Sequence, residues 1–303
     1  MRQLHIATRG SELARWQAAF VAARLTATVP DLIVDLVFVE TAGDRRPDVP
    51  VWEMGGQGVF VKEVQAAVLD GRADIAVHSA KDLPSVTAPA LRLASVPVRA
   101  DPRDALVGSA LADLPAGARI ATGSVRRRAQ LAWRRPDLTF ASLRGNIATR
   151  IAKAPVHGAV VIAMAALLRL GLGDRAAEVL DPEILLPQVG QGALAVECRA
   201  EDEETAELLG QIEDARARRA VDAERAFLAR LGGGCDLPVA AYSTEDGDGT
   251  LTVDGMLASL DGRIMFRDRA MGAADEAAKV GADLADSLLS DSGGAALLED
   301  LGL

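Results

Sequence analysis

The sequence predicts a mixed α/β protein with two α/β lobes followed by a small α+β domain. Its 303 residues are enough for two or three domains. Segments of strand and helix character alternate up to about residue 100, and the same alternation restarts beyond it. After Gly232–Gly234 the pattern changes to short strands joined by tight turns. We therefore expect a discontinuous first lobe over residues 1–99 and 194–213, a second lobe over 100–193, and a C-terminal domain over 214–303.

Composition narrows the class of protein. Half of the residues are apolar and a quarter are charged, which is typical of a folded globular chain. The net charge of −10 argues against a general nucleic-acid binder. No apolar run reaches the ~18–20 residues of a membrane span, and the N-terminus lacks the basic and apolar regions of a signal peptide. We therefore expect a soluble cytoplasmic protein with no nucleic-acid and no membrane partner.

The cysteines and histidines are too few and too scattered for a disulfide framework or a zinc site. Cys198 and Cys235 are the two cysteines, and His5, His78 and His157 are far apart along the chain. We therefore expect no bound metal.

In the first lobe, each strand is followed by a helix or a long loop. Ser11 can cap a helix that runs to about Thr28. The apolar face of this helix is expected to contain Leu13, Trp16, Phe20 and Ala23. The other expected elements are strands Leu4–Thr8, Leu32–Glu40, Ala73–His78 and Leu91–Val98, and helix Val59–Leu69 with Gly71 at its end. This order predicts βαβ units and a largely parallel sheet. The loop Thr41–Gly58 is long enough to be either functional or disordered.

The second lobe begins after Ala100–Asp104, a segment that we interpret as a crossover. Its expected elements are strands Arg119–Thr122, Leu138–Ser142 and Ala159–Ala163, and helices Ser124–Arg135 and Asn146–Lys153. Strand Leu194–Cys198 is expected to return to the first sheet. The C-terminal part is expected to contain helices Asp214–Leu231 and Ala274–Leu289, and strands Val239–Tyr242, Thr250–Leu257 and Arg263–Ala270.

Two segments of the second lobe have the character of anion sites. Residues 101–175 contain 12 Lys and Arg but only 5 Asp, in a protein that is acidic as a whole. The segment Thr122–Arg128 lies where a strand enters a helix, so free amides, hydroxyls and the positive helix end converge there. Leu143–Asn146, with Arg150 one turn further, repeats this arrangement at the next strand end. The alternative for Ser124 is an ordinary helix cap, and solvated helix faces explain other arginines of this lobe.

Two further residues could carry chemistry. Asp82 follows a strand of the first lobe in the segment His78–Pro84 and has Lys81 beside it, so it could act as an acid or base. A turn or cap role is the alternative for Asp82. Cys235 follows three glycines, which leave its thiol open for attachment or nucleophilic attack. Cys198 lies within a strand and is expected to be a small buried hydrophobe.

Read together, these segments resemble the porphobilinogen deaminase (hydroxymethylbilane synthase) family. The resemblance is carried in chain order by HIATRGSELARWQA, GGQGVFVKE, RADIAVHSAKDLP, DPRDALV, TGSVRRRAQL, SLRGNIATR, LPQVGQGALAVECR and AERAFLARLGGGCDLPVAAY. It implies two lobes like those of periplasmic binding proteins plus a third domain, and a transferase that joins four porphobilinogen molecules head to tail with loss of ammonia, in tetrapyrrole biosynthesis. It also implies a monomer and a dipyrromethane cofactor attached through a thioether.

The resemblance also implies roles for individual residues. Cys235 matches the attachment cysteine, and Asp82 matches the catalytic carboxylate, which assists ammonia loss, stabilises the azafulvene cation and helps remove the ring proton. Each pyrrole carries an acetate and a propionate, which explains the need for arginines. The residues matched to cofactor binding, besides Cys235, are Ser79, Lys81, Asp82, Thr122, Ser124, Arg126 and Arg127. The residues matched to substrate binding are Arg9, Ser11, Phe60, Arg144, Asn146, Arg150 and Arg169.

The chain departs from the family pattern in the long loop, where Ala42, Glu53 and Gln57 stand at positions that are basic in many members. We therefore expect the loop to close through backbone and apolar contacts, with Trp52 and Val59 involved, and without ion pairs to substrate. Gly123 also stands where some members have a hydroxyl. The rival function is a non-catalytic two-lobed binding protein for a polycarboxylate, in which the third domain would have no purpose.

Overall fold

The computed structural model describes residues 2–45, 58–233, 237–290 and 293–301. The chain divides into two compact units, Met1–Ala100 with Ala193–Arg218 and Asp101–Gly192 with Arg219–Leu303. The domain boundaries expected from the sequence remain a proposal.

The elements follow one another along the chain in the following order. Up to residue 100 they are β1 (Arg2–Arg9), α1 (Glu12–Thr28), β2 (Leu32–Val39), α2 (Ala42–Arg45), α3 (Lys62–Leu69), β3 (Ile75–Ser79) and β4 (Leu91–Ser95). Next come β5 (Asp104–Gly108), β6 (Arg119–Ala121), α4 (Val125–Arg134), β7 (Thr139–Ala141), α5 (Ile147–Ala152), β8 (Ala159–Ala163), α6 (Met164–Arg169) and β9 (Glu178–Val179). The last are β10 (Leu194–Arg199), α7 (Glu203–Gly210), α8 (Ala215–Arg230), β11 (Val239–Glu245), β12 (Thr250–Ala258), β13 (Met265–Ala273), α9 (Ala277–Ser290) and α10 (Gly294–Asp300).

The first unit is built on a five-stranded sheet with the strand order β2-β1-β3-β10-β4. β1 runs parallel to β2 and β3, whereas β10 runs antiparallel to β3 and β4. The core of this sheet is apolar and includes Leu4, Ile6, Ile75 and Val196. The chain therefore returns to its first sheet through β10, which makes that sheet mixed rather than purely parallel.

The second unit contains another five-stranded sheet, with the order β7-β6-β8-β5-β9. Here β5 is the strand that runs antiparallel to its neighbours, while β6 is parallel to β7 and β8. The expected crossover at Ala100–Asp104 is wrong at its last residue, because Asp104 is the first residue of β5. The same unit holds a three-stranded antiparallel sheet, β11-β12-β13, whose core includes Phe227 and Leu284. The predicted fold class, two α/β lobes and a small α+β domain, is confirmed.

The local structure of α1 corrects one expectation. Ser11 caps the helix as predicted, since its hydroxyl accepts a hydrogen bond from the Ala14 amide at 3.3 Å. The buried face, however, is formed by Ala14, Gln17, Ala18, Val21 and Leu25. Trp16 is 37% exposed and stacks on Phe20 at the surface, with 5.3 Å between ring centroids. The small residues allow the helix to approach the sheet closely, and the aromatic residues lie outside that contact.

One predicted helix begins later than expected, and three helices were not predicted. The helix expected from Val59 begins at Lys62, and Gly71 has the positive φ of +73° that suits a residue just past its end. Helices α6, α7 and α10 lie in segments for which the sequence pattern predicted no element. Among the residues that the structure describes, no helix has both the length and the apolar character needed to cross a membrane.

Candidate active site

Polar side chains follow two neighbouring parallel strands of the first unit. β1 ends at Arg9 and β3 ends at Ser79, and the two strands pair in parallel, with Ile6 opposite Ile75 and Ala7 opposite Ala76. Because the carboxyl ends of parallel strands meet at one edge of a sheet, both residues lie at that edge. Ser79 is joined to α1 by a hydrogen bond, which its hydroxyl accepts from Gln17 Nε2 at 2.8 Å.

The Arg9 guanidinium is held by two partners from the same unit. Its Nε donates to Asp44 Oδ2 at 3.1 Å, and its Nη2 donates to Asp44 Oδ1. The Phe60 ring lies under the guanidinium, 4.1 Å from Arg9 Cζ to the ring centroid. Gly43 permits this arrangement, because a Cβ there would lie 2.0 Å from Phe60 Cε1. The predicted substrate residues Arg9 and Phe60 are therefore in contact, and a protein carboxylate already occupies the Nε and Nη2 edge of Arg9.

Asp44 is a functional candidate that the sequence reasoning missed. Burial raises the pKa of its carboxyl, but hydrogen bonds from Arg9 and Thr41 and the charge of Arg9 outweigh burial, so its pKa lies below the usual value. Thr41 donates to Asp44 Oδ2 through its hydroxyl at 2.7 Å and its amide at 3.2 Å. The signal available in the sequence was an acidic residue, Asp44, in the segment Thr41–Arg45. Its pairing with Arg9 is seen only in the folded chain.

Asp82 lies in a short turn that is fixed at both ends. The Ala80 amide donates to Ala193 O at 3.1 Å, and the Leu83 amide donates to Ala80 O at 3.2 Å. Ala80 and Leu83 are buried, whereas Lys81 and Asp82 between them are partly exposed. Within the described part of the chain, the Asp82 carboxylate has no hydrogen-bond or ion-pair partner. The fold thus presents a carboxylate on a fixed backbone and leaves its oxygens available to a ligand.

In the second unit, the predicted cap at Ser124 is observed. The Ser124 hydroxyl accepts from the Arg127 amide at 3.4 Å, and Thr122 Oγ1 accepts from the Ser124 amide at 3.2 Å. Gly123 is required by close packing, since a Cβ at this position would lie 2.7 Å from Leu143 O on the neighbouring strand end. The cap role and a ligand role are compatible, because each hydroxyl still has its own proton to donate.

The most buried polar group of the site is formed by Arg126, Arg127 and Asp104. Arg126 is 2% exposed, Arg127 is 6% exposed and Asp104 is fully buried. Arg126 Nη2 donates to Asp104 Oδ2 at 2.7 Å, and Arg127 donates to Asp104 Oδ1 from Nη2 at 2.6 Å and from Nε at 3.1 Å. Gln191 Nε2 also donates to Asp104 Oδ1, at 2.9 Å. The sequence reasoning identified both arginines and missed the carboxylate that they share.

The charge state of this group follows from its surroundings. Burial raises the pKa of Asp104, but the two guanidinium groups overcome burial by charge and hydrogen bonding and hold its pKa far below the usual value. Asp104 is therefore a carboxylate at neutral pH. Burial lowers the pKa of Arg126, although the Asp104 charge opposes this effect. Arg126 Nε is buried without a hydrogen-bond partner among the described residues.

The remaining predicted residues of the second unit lie in the segments that follow β7 and β8. Asn146 caps α5 by accepting from the Thr149 amide at 2.9 Å, and Arg150 Nε donates to Gly145 O at 2.8 Å. Arg144 precedes this turn and is half-buried. Arg169 ends α6, is buried, and donates from Nη2 to Gly192 O at 2.8 Å. Burial lowers the pKa of Arg169 to about 10, so this residue is still cationic at neutral pH.

Several predicted residues lie outside the described residues: Cys235, Trp52, Glu53 and Gln57. Cys198 is fully buried in β10, and burial raises the pKa of its thiol, as expected for a structural cysteine. The Ala42 amide donates to Glu63 Oε1 at 2.8 Å. In the described part of the chain, no cluster of three or more His, Cys, Asp and Glu could hold a metal ion.

Comparison with known proteins identifies the family. The family model described as "Porphobilinogen deaminase, dipyromethane cofactor binding domain" matches residues 4–207, and the model of the porphobilinogen deaminase C-terminal domain matches residues 218–290. The chain belongs to the porphobilinogen deaminase family. The chain is 47% identical over 304 aligned residues to the porphobilinogen deaminase of Syntrophus aciditrophicus, with 98% of both chains covered. It is 49% identical to that of Roseiflexus sp., with 97% of this chain and 98% of the relative covered.

Membership in the porphobilinogen deaminase family makes the chain a transferase with a dipyrromethane cofactor, and the rival of a non-catalytic binding protein is not favoured. Among solved structures, the chain is similar to the methionine binding protein MetQ, with a TM-score of 0.43, 14% identity, and 72% of this chain and 90% of MetQ covered.

The hydrogen-bond donors of the cluster formed by Arg126, Arg127 and Asp104 fit a dipyrromethane cofactor. Two buried guanidinium groups share one protein carboxylate, and Arg126 Nε has no described partner, so the cluster has donors in excess for ligand carboxylates.

Proposed function

We propose that this chain condenses four porphobilinogen molecules head to tail and adds one water molecule to the end of the tetrapyrrole, giving hydroxymethylbilane and one ammonia for each porphobilinogen, with Asp82 as its catalytic carboxylate. The observation that carries the proposal is the family match, which extends through most of the chain. The structure supports it with a carboxylate on a rigid turn, Asp82, at the end of β3. We further propose that the enzyme is cytoplasmic and acts as a monomer.

The proposed reaction needs one group that handles protons and cationic charge. As an acid, Asp82 would donate a proton to the departing amine; as a carboxylate, it would stabilise the resulting substrate cation and then accept the proton of the attacked ring carbon. Among the described residues the Asp82 carboxylate has no hydrogen-bond or ion-pair partner, which supports both roles, because its oxygens do not have to exchange such a bond first. Lys81 lies beside it and would contact an anionic group of the cofactor.

The arginines and hydroxyls would bind carboxylates. Arg126, Arg127, Thr122, Ser124 and Ser79 would hold the acetate and propionate groups of the dipyrromethane, which supplies the pyrrole position to which new units are joined. Arg9, Ser11, Phe60, Arg144, Asn146, Arg150 and Arg169 would bind and orient the substrate units. Planar guanidinium groups suit this task because each can donate two parallel hydrogen bonds to one carboxylate.

We assign the covalent attachment to Cys235. Three consecutive glycines precede it, so its backbone has wide conformational freedom. The other cysteine, Cys198, is fully buried within a strand, with its thiol pKa raised by burial, which makes it a poor nucleophile.

A test uses the full-length purified chain and porphobilinogen. We expect consumption of porphobilinogen, release of one ammonia per molecule consumed, and a linear tetrapyrrole product. The intact protein should carry the mass of a two-pyrrole adduct. The matched control is Asp82→Asn, which keeps the shape of the side chain but cannot exchange the proton. Porphobilinogen binding without ammonia release by the parent chain would contradict the proposal.

A further inference from the structure

Asp104 stands at the centre of the buried cluster and touches every member of it. Its Oδ2 accepts from Arg126, and its Oδ1 accepts from Arg127 and from Gln191. Each arginine has a second anchor in the backbone, because Arg126 Nη1 donates to Leu186 O and Arg127 Nη1 donates to Val161 O at 3.0 Å. The side chain of Gln191 is fixed in turn, since its Nε2 also donates to Pro102 O at 2.7 Å.

The direction of β5 places Asp104 at the functional edge of its sheet. β5 pairs antiparallel with β8, and its first residue, Asp104, lies opposite Ala163, the last residue of β8. The carboxyl ends of β6 and β8 therefore share an edge with the amino end of β5. Arg126 and Arg127 are consecutive residues in the first turn of α4, so their side chains leave the helix about 100° apart. One carboxylate can hold both only from a position between them, which Asp104 occupies.

The cluster has an unbalanced charge. Arg126 and Arg127 are both cationic and Asp104 is anionic, so three buried groups carry a net charge of +1. The charged groups that act on Arg126 are Asp104 and Arg127. An uncompensated buried charge is unfavourable, and a ligand carboxylate beside the cluster would neutralise it.

We propose that Asp104 is a positioning residue of this enzyme, which fixes the guanidinium groups of Arg126 and Arg127 and leaves them one net positive charge for a carboxylate of the bound cofactor. This inference rests on the proposed function. A purely structural Asp104 would also compensate charge, but it would not set the geometry on which turnover depends. The two roles differ in their effect on the folded, cofactor-bound enzyme.

The experiment compares Asp104→Asn with the parent and with Glu245→Gln, all as full-length chains. Glu245 belongs to the three-stranded sheet and pairs with Arg219 at 2.8 Å, so Glu245→Gln removes the charged partner of an arginine elsewhere in the same unit. The fraction of protein that carries cofactor is measured by intact mass. Turnover and KM for porphobilinogen are then measured per cofactor-bound molecule, well below the unfolding transition of each variant.

For Asp104→Asn we expect kcat per cofactor-bound molecule to fall at least tenfold with KM within threefold, because other residues contact the incoming substrate. A folded variant without cofactor would also support the proposal. Glu245→Gln should keep the parental kcat and cofactor content. If Asp104→Asn kept kcat within twofold and the parental cofactor content, Asp104 would be only structural and the proposal would be overturned.

Asp104→Glu covers the case in which Asp104→Asn does not fold. It keeps the buried negative charge but moves the carboxylate by one methylene, so less stability is lost than in Asp104→Asn while the guanidinium groups shift. We expect the same loss of kcat, and a parental kcat would overturn the proposal. Failure of the proposed function is distinguishable, because it would appear in the parent chain as an absence of ammonia release.

Discussion

Asp44→Asn tests whether a protein carboxylate competes with the substrate for Arg9. The Nε and Nη2 edge of Arg9 donates to Asp44, and this is the edge that would otherwise hold a substrate carboxylate in two parallel hydrogen bonds. The Phe60 ring, 4.1 Å from Arg9 Cζ, is a second contact that remains when the Asp44 charge is removed. We therefore expect removal of the Asp44 charge to favour substrate binding.

The magnitude follows from the exposure of the pair. The Arg9 and Asp44 side chains are 23% and 25% exposed, between a surface pair and a buried one. Breaking such a pair costs about 1 kcal/mol, near the upper end for surface ion pairs. KM for porphobilinogen should therefore fall about fivefold at low ionic strength, with kcat within twofold. This decrease in KM should become smaller as the salt concentration approaches ~0.15 M, where the screening length is about 8 Å.

The assay is a set of initial rates at two ionic strengths, with Glu203→Gln as the matched control. Glu203 also pairs with an arginine of the first unit, Arg92, and its side chain is 76% exposed, so the net charge changes equally. The control should leave KM unchanged. A rise of KM in Asp44→Asn would refute the reasoning and make Asp44 a residue that orients Arg9. An unchanged KM at low salt would mean that substrate does not use this edge of Arg9.

Three further predictions concern the cofactor, the chemistry and the response to acid. Asp82→Asn should lose more turnover than the ~10²–10⁴ typical of a general acid or base while keeping its cofactor mass, and a loss below tenfold would leave Asp82 a turn residue. Cys235→Ser should lack the two-pyrrole adduct and Cys198→Ser should keep it, as peptide mapping can verify. The opposite result would assign the attachment of the cofactor to Cys198. Because the folded pKa of Asp104 is depressed, its stabilisation is complete above the unfolded pKa of about 3.9 and is lost below it. The free energy of unfolding in urea, measured between about pH 4.5 and about pH 3, should thus fall less steeply with decreasing pH in Asp104→Asn, by up to about 1.4 kcal/mol per pH unit. Equal slopes in the parent and the variant would argue against an ionised Asp104.

Local features of the fold could be predicted because their causes are local. The caps at Ser11, Ser124 and Asn146 require a hydroxyl or amide oxygen three residues before a free backbone amide, and this spacing is visible in the sequence. The glycine after α3, Gly71, is predictable for the same reason, since the helix end needs a residue with positive φ. The order of strands and helices also follows from local patterns, so the fold class could be predicted from the sequence.

Features that depend on distant pairing could not be predicted in this way. The buried face of α1 is determined by packing against the sheet, where Ala18 is buried and Trp16 is exposed. Asp104 lies in a segment that reads as a crossover, and its partners are 22 and 23 residues away along the chain. The strand direction that makes it buried is set by pairing with β8, on which the local sequence carries no information.

In each five-stranded sheet, one strand runs antiparallel to its neighbours and begins at the edge where a neighbouring strand ends. In the first sheet, β10 begins opposite Ser79, and Ala193 just before it accepts the hydrogen bond that fixes the turn of Asp82. In the second sheet, β5 begins opposite Ala163, and its first residue holds the paired arginines. A strand that starts where its neighbours end brings backbone and side-chain partners to the edge at which parallel strands leave their functional residues. The residues at the start of β5 and β10 therefore support the candidate site, although neither strand contributes a residue predicted to touch substrate.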